Sequence, residues 1–324
     1  MENEMVYEVK HLKKYFDIGT DKKGKRRYVH AVEDASFEIS KGEIFGLVGE
    51  SGSGKSTLGR CMIDLIEPDE GTILFNGKNV MDMKGRQLKK QKEQMQMVFQ
   101  NPMASFNPKM TLKQSLVEVC HVRGMNNKET EGRLLELMEY VNLPMDTLNR
   151  LPTQLSGGQL QRLAIVRSLV NSPQFIVADE PVSALDVSVQ GQILNVLLDL
   201  NEQMKLTMLF ISHELTVVRH MCDRVAVMYL GVIVELAPTK ELFDNMQHPY
   251  TKSLIMAKPK EHPLEQKEDY VLEGDIPDAV NVPKGCRFAN RCPRCKDGLC
   301  NELSPELREV AEGHFVACHN PLES

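Results

Sequence analysis

The stretch Gly49-Glu50-Ser51-Gly52-Ser53-Gly54-Lys55-Ser56-Thr57 has the spacing GxxxxGK[ST]. Its glycines let the backbone curl until successive N–H groups point inward as an anion nest, and a following helix adds the positive end of its dipole. Lys55 can then reach the β and γ phosphates of a nucleotide, and the Ser56 hydroxyl can ligate Mg²⁺. An apolar strand, Ile44–Val48, precedes the loop and a helix expected over Leu58–Ile66 follows it. A bare Gly-rich turn would not need that context, so the loop reads as a nucleotide site. A second apolar segment, Phe175–Ala178, ends in Asp179-Glu180, 124 residues beyond Lys55. Open α/β sheets deliver such residues to the edge where ligands bind. Asp179 suits the Mg²⁺ shell, and Glu180 can polarise an attacking water as general base.

Leu155-Ser156-Gly157-Gly158-Gln159 stands before a helix expected over Leu160–Asn171. Ser156 is a good N-cap, and the two glycines leave backbone N–H groups bare at a helix N-terminus. This is a second phosphate grip in a chain with one Lys-bearing loop. It fits a phosphate held by another subunit, so dimerisation around nucleotide is expected.

Of eight cysteines, Cys286, Cys292, Cys295, Cys300 and Cys318 crowd the last 39 residues. In a reducing compartment such a cluster reads as metal ligands before disulfides. Cys61, Cys120 and Cys222 lie in helical contexts and read as buried small hydrophobes.

The elements that must hold these residues follow from periodicity. Residues 5–16 and Ala31–Ile39 alternate as strands, and the basic stretch Asp17–His30 between them reads as a solvated hairpin. Residues 101–165 are rich in Met, Leu and Glu, and Lys128–Val141 has helical spacing. From about 160 to 235, helices alternate with apolar strands, including Val189–Met204 and Thr207–Ile211, which implies a largely parallel α/β sheet. The run Val225–Leu236, interrupted by Gly231 and Glu235, reads as two short strands. After about 250 the texture turns Pro- and charge-rich, which divides the chain into 1–250 and 251–324. A length of 324 residues suits about two units. A net charge of −6 disfavours an electrostatic nucleic-acid binder. Neither a membrane-spanning apolar run nor a secretory leader is expected, which points to the cytosol or a membrane partner's cytosolic side.

Taken in order, the Gly49–Thr57 loop, LSGGQ at 155–159, ADEP at 178–181, SALD at 183–186 and ISHE at 211–214 resemble the ATPase subunit of an ABC transporter. The resemblance implies a P-loop NTPase (RecA-like) core, an antiparallel β subdomain and a helical subdomain at about 101–165. It also implies a head-to-tail dimer with ATP between one subunit's phosphate loop and the other's LSGGQ. By motif match, Gln100 senses Mg²⁺ and the attacking water, His213 faces the γ-phosphate, Asp186 lies at the dimer seam and Tyr15 stacks on adenine. Mg²⁺ would be held by Ser56, Gln100 and Asp179. Glu214 departs from the family's more frequent Asp.

Three further stretches resemble the oligopeptide/dipeptide importers: HLKKYF with its basic insertion, Asn101-Pro102…Ser105-Phe106-Asn107-Pro108, and His248-Pro249-Tyr250-Thr251. The insertion and Ser56–Arg60 look like the F-type, second ATPase of a heterodimeric pair. That branch implies a D-type sibling or a second copy as partner, two transmembrane permease subunits contacted by residues 101–125, and an extracytoplasmic solute-binding protein. It places the chain peripherally on the cytoplasmic face of the membrane. Rival readings are import of another solute such as nickel, a soluble ABC ATPase, and a metal-sensing regulatory subunit. In some members of this branch four C-terminal cysteines hold a [4Fe–4S] cluster, which maps onto Cys286, Cys292, Cys300 and Cys318. Cys295 departs from that pattern and makes a C-x2-C pair with Cys292. Such a pair also suits Zn²⁺, completed by Cys300, Cys318 or His319. Idle thiols are the third reading.

Overall fold

The computed structural model describes residues 4–256 and 278–322. Alternating apolar residues in the first forty positions build a long antiparallel hairpin of β1 (Met5–Thr20) and β2 (Arg26–Ser40). Val6, Val9, Leu12, Val32, Phe37 and Ile39 turn inward. The basic stretch is a hairpin as expected. Its strands run further than the sequence pattern suggests, leaving only a turn in which Asp21 Oδ1 accepts the N–H groups of Lys23 and Lys25 at 2.8 and 2.9 Å.

β3 (Ile44–Val48) is buried at all five positions, as a strand paired on both sides and covered on both faces must be. It leads into α1 (Lys55–Met62), then β4 (Glu70–Phe75), β5 (Lys78–Asn79), α2 (Gly85–Gln94) and β6 (Met95–Val98). The expected helix after the phosphate loop therefore starts three residues earlier and stops at Met62, where Asp64 turns to a φ of +55°. α3 (Leu112–Val122) and α4 (Asn127–Tyr140) both begin at capping boxes, Thr111 with Gln114 and Asn126 with Glu129. α5 (Gly157–Leu169), β7 (Phe175–Asp179), α6 (Val187–Met204), β8 (Thr207–Ser212), α7 (Leu215–Met221), β9 (Arg224–Tyr229) and β10 (Val232–Pro238) follow. α8 (Thr239–Asp244), α9 (Pro249–Met256), β11 (Arg308–Ala311) and β12 (His314–Val316) complete the described elements.

The strand order is β5-β4-β1-β2-β10-β9-β3-β8-β7-β6. From β6 through β7, β8 and β3 to β9 every pairing is parallel, and β1, β2, β4 and β5 pair antiparallel. The chain therefore has the expected α/β core with an antiparallel subdomain. One apolar core packs helices α3 to α7 against the parallel strands, and a second fills the space between the hairpin, β4 and α1. β12 pairs with β10, which joins the C-terminal hairpin to the same sheet. No described helix is long and apolar enough to cross a membrane.

Two sequence readings need correction. Cys222 is buried, but it lies in extended backbone just past α7 rather than in a helix. Glu235 does not interrupt the second strand of its pair: it is a fully buried member of β10. Its carboxylate accepts the N–H groups of Gln247 and His248 at 2.6 and 3.0 Å and pairs with His314 Nε2 at 2.8 Å.

Candidate nucleotide-binding site

The phosphate loop spans the C-terminal edge of β3 and the first turn of α1. Two glycines are required there by contact as well as by conformation. A Cβ on Gly49 would stand 2.1 Å from the Met228 carbonyl oxygen, and one on Gly54, at φ +104°, 2.0 Å from that of Ala31. Ser51 and Gly52 are exposed, Thr57 is half-buried, and Ser53 is buried with its carbonyl bonded to the Gly231 N–H at 2.9 Å.

Lys55 is buried, and its ammonium donates to the carbonyls of Gly49 and Glu50 at 2.8 and 2.9 Å and to Ser53 Oγ at 3.3 Å. Burial lowers its pKa, against the pull of Glu180, Asp179 and Glu50. One residue on, the Ser56 hydroxyl donates to Asp179 Oδ1 at 2.7 Å, and Arg60 Nη2 stands 3.6 Å from Asp179 Oδ2. Burial raises the Asp179 pKa, opposed by Ser56 and Arg60. The hydroxyl and carboxylate are hard oxygen donors of the kind Mg²⁺ takes beside phosphates.

Glu180 follows with a left-handed φ of +47°, and its N–H is bonded to the Ile211 carbonyl at 2.9 Å. Gln100 Nε2 donates to one carboxylate oxygen at 2.8 Å and His213 Nδ1 lies 3.2 Å from the other. The structure thus brings Gln100, Asp179, Glu180, His213, Lys55 and Ser56 to one sheet edge. Ser183 also belongs here: its Oγ accepts from Gln100 Nε2 at 3.3 Å and donates to the Glu180 carbonyl at 3.2 Å. In the sequence it stands only as the first letter of SALD.

Ser156 caps α5 as expected, with its Oγ accepting the Gln159 N–H at 3.3 Å and Gln159 Oε1 accepting the Ser156 N–H at 3.2 Å. The helix includes both glycines rather than starting at Leu160. A Cβ on Gly158 would meet Val189 at 2.3 Å and one on Gly157 would meet Leu185 at 3.1 Å, so this loop packs beside Asp186, the exposed N-cap of α6. Among the described residues no hydrogen bond or ion pair joins Ser156–Gln159 to the phosphate loop.

The half-buried Tyr15 donates its hydroxyl to Glu33 Oε1 at 2.8 Å, and its ring meets His30 edge-on at 4.8 Å. Glu33 and His30 had no visible role in the sequence, nor had Tyr250, whose hydroxyl accepts the Glu50 N–H at 2.9 Å. The HPYT stretch offered a signal for the last.

Cys286, Cys292, Cys300 and Cys318 lie within electrostatic reach of one another. Each sulfur accepts a backbone N–H, from Phe288, Arg294, Lys296 and Asn320 respectively. Burial pushes the thiols of Cys286 and Cys292 up to about 12 and about 11. Cys295 is beside Cys300 and within electrostatic reach of Cys292, with its Sγ 3.7 Å from Asn301 Oδ1, and His319 Nε2 is taken up by the Leu303 carbonyl at 2.8 Å. Among the described residues no group of three or more His, Cys, Asp or Glu side chains is placed to hold a single metal ion. The described geometry therefore gives no support to a metal on these cysteines, zinc or cluster, with or without Cys295 and His319.

Residues 32–183 match the family model described as ABC transporter, and residues 234–300 match that of the oligopeptide/dipeptide transporter C-terminal region. The chain is 46% identical to the oligopeptide transport ATP-binding protein AppF of Bacillus subtilis, over 98% of this chain and 97% of that one. It is 42% identical to OppF of Haemophilus influenzae over 97% of each chain. Its identity to a putative peptide import ATP-binding protein of Brucella ovis is 49%, over 89% and 90%. Among solved structures it is similar to the ATP-binding cassette MJ0796, in a dimeric post-hydrolysis state bound to ADP and Pi. That match has a TM-score of 0.64 and 28% identity over 72% of this chain and 98% of the other.

Proposed function

The chain belongs to the ATP-binding proteins of oligopeptide ABC transporters, and on that basis we propose that it hydrolyses ATP to power peptide import across the cytoplasmic membrane. The observation that carries the reaction is Glu180, one residue beyond Asp179 at the sheet edge and gripped on its two oxygens by Gln100 and His213. ATP exchanges the backbone acceptors of Lys55 for phosphate oxygens, so the buried ammonium gains anionic partners. Glu180 takes the proton of the attacking water, while Gln100 and His213 fix its direction. Mg²⁺ would be held by Ser56, Asp179 and Gln100 and would neutralise phosphate charge. Tyr15 stacks on the adenine, and the Ser156–Gln159 loop and Asp186 meet the nucleotide and seam of a second ATPase subunit, a D-type sibling or another copy. Glu180→Gln should retain ATP binding and lose turnover; full turnover in that variant sinks the assignment of the base.

The same reading supplies two permease subunits, a solute-binding protein on the far side of the membrane, and a peripheral position on its cytoplasmic face. It is supported by a groove of about 530 Å³ in the helical subdomain, lined by Met110, Gln114, Val117, Glu118, His121 and Val122. Val122 is 70% exposed, an apolar side chain awaiting cover. We divide the chain at about 250, with the cysteines in the second part.

For those cysteines we favour a [4Fe–4S] cluster on Cys286, Cys292, Cys300 and Cys318. Cluster iron wants thiolates, one per iron, so the four sulfurs need not converge on a point as they would for Zn²⁺. The reading rests on four thiols within electrostatic reach of one another, each sulfur already accepting a backbone N–H.

A further inference from the structure

The cysteine-rich segment reaches into the nucleotide site through two arginines, and we propose that Arg291 and Arg287 are positioning residues for ATP. Arg291 acts through Glu50 of the phosphate loop, and Arg287 through the Glu33–Tyr15 pair. Both adjoin a cysteine, Cys292 and Cys286.

Glu50 puts a carboxylate in the loop that must receive a polyanion, where an uncompensated like charge opposes binding. Arg291 answers it with a fork: Nη1 to Glu50 Oε2 at 2.8 Å and Nη2 to Oε1 at 3.2 Å. The Arg291 side chain is 8% exposed and that of Glu50 26%, so water and salt screen the pair less than a surface bridge. Tyr229 lies beneath, its ring centroid 5.9 Å from the guanidinium, and Phe288 packs against both Tyr229 and Tyr250. Tyr250 in turn holds the Glu50 N–H. Backbone and side chain of position 50 are thus both fixed by residues distant in sequence.

Arg287 does the equivalent at the base-stacking side. Its Nη2 donates to Glu33 Oε2 at 2.8 Å and its Nη1 to the Leu230 carbonyl at 2.6 Å. Glu33 also accepts from Tyr15 and contacts His30 Nδ1 at 2.6 Å. Burial alone would raise the Glu33 pKa, but His30, Tyr15 and Arg287 outweigh it and hold the carboxylate charged. Removing Arg287 frees the acceptor that orients the Tyr15 ring.

This inference rests on residues 49–57 being the phosphate loop and Tyr15 the adenine platform. The test is equilibrium titration of the full chain with a ribose-labelled fluorescent ATP, its displacement by inorganic tripolyphosphate, and steady-state ATPase kinetics. Arg291→Gln should raise the Kd for both ligands, and KM, about fivefold while leaving kcat nearly unchanged. Glu50→Gln in the same chain should restore Kd to within about twofold, because the charge needing neutralisation is gone. Arg287→Gln should weaken the ATP analogue but not tripolyphosphate, which has no base to stack. Unchanged affinities in both arginine variants overturn the proposal, and so does a loss at Arg291 that Glu50→Gln fails to rescue, since that marks general damage. If Arg291→Gln does not fold, Arg291→Lys, which keeps the charge without the fork, must show an intermediate Kd or the proposal falls. Lys55→Ala separates the premise: normal nucleotide binding in that variant rejects the phosphate-loop assignment itself.

Discussion

His248 sets a pH limit on the join between the C-terminal segments and the sheet. It is 1% exposed, its backbone N–H donates to Glu235 Oε2 at 3.0 Å, and its Nδ1 accepts the Tyr250 N–H at 3.0 Å. A proton on Nδ1 would face that N–H donor to donor. Burial lowers the His248 pKa from 6.5 to about 4, against the pull of Glu235. A folded pKa below the unfolded one means stability is complete above the unfolded value and falls as acid protonates the unfolded chain first. Between pH 7 and pH 5 that linkage costs about 2 kcal/mol. Neighbouring His314 has the opposite sign: burial lowers its pKa, but Glu235 and Glu241 outweigh burial and raise it. Its contribution is complete below the unfolded value and is lost as pH rises through the higher folded one. The clean readout is therefore a difference. Denaturant unfolding at both pH values should be compared between the wild type and His248→Asn, which keeps an acceptor but does not titrate. The wild type should lose about 2 kcal/mol more than the variant on acidification. Equal losses would refute the buried neutral histidine.

Gly54→Ala should abolish nucleotide binding, because its Cβ would lie 2.0 Å from the Ala31 carbonyl oxygen and must displace the loop; a normal titration would contradict the geometry. An anaerobic preparation should be brown, with about four iron and four acid-labile sulfide per chain, whereas colourless protein with about one zinc would replace the cluster reading. Val122→Asp, in the exposed groove of the helical subdomain, should weaken co-purification with permease subunits while basal ATPase activity stays within about twofold. Undiminished co-purification would move the docking face elsewhere.

Some of this was legible because the chemistry is local. Nine consecutive residues define the phosphate loop, two define Asp179-Glu180, and Ser156 caps its helix through a residue three positions on. Strand alternation likewise revealed the N-terminal hairpin, and unbroken apolar runs revealed the buried parallel strands. Element ends were less legible: the helix after Lys55 and that after Ser156 include residues whose glycine neighbours looked like loop. Glu235 misled for a related reason, since a carboxylate inside an apolar run looks like a break unless its partners are known. Those partners, His314 and the N–H groups of Gln247 and His248, come from other elements.

Local spacing could name Gln100 and His213 only by their place in a motif order. That both close on the two oxygens of Glu180 was decided by the parallel order β6-β7-β8, which sets three strand ends side by side. The grip of Arg291 on Glu50 spans 241 positions, and that of Arg287 on Glu33 spans 254. No periodicity encodes such a contact. It exists because the C-terminal segment folds back along β10 and carries its charges to the mouth of the loop.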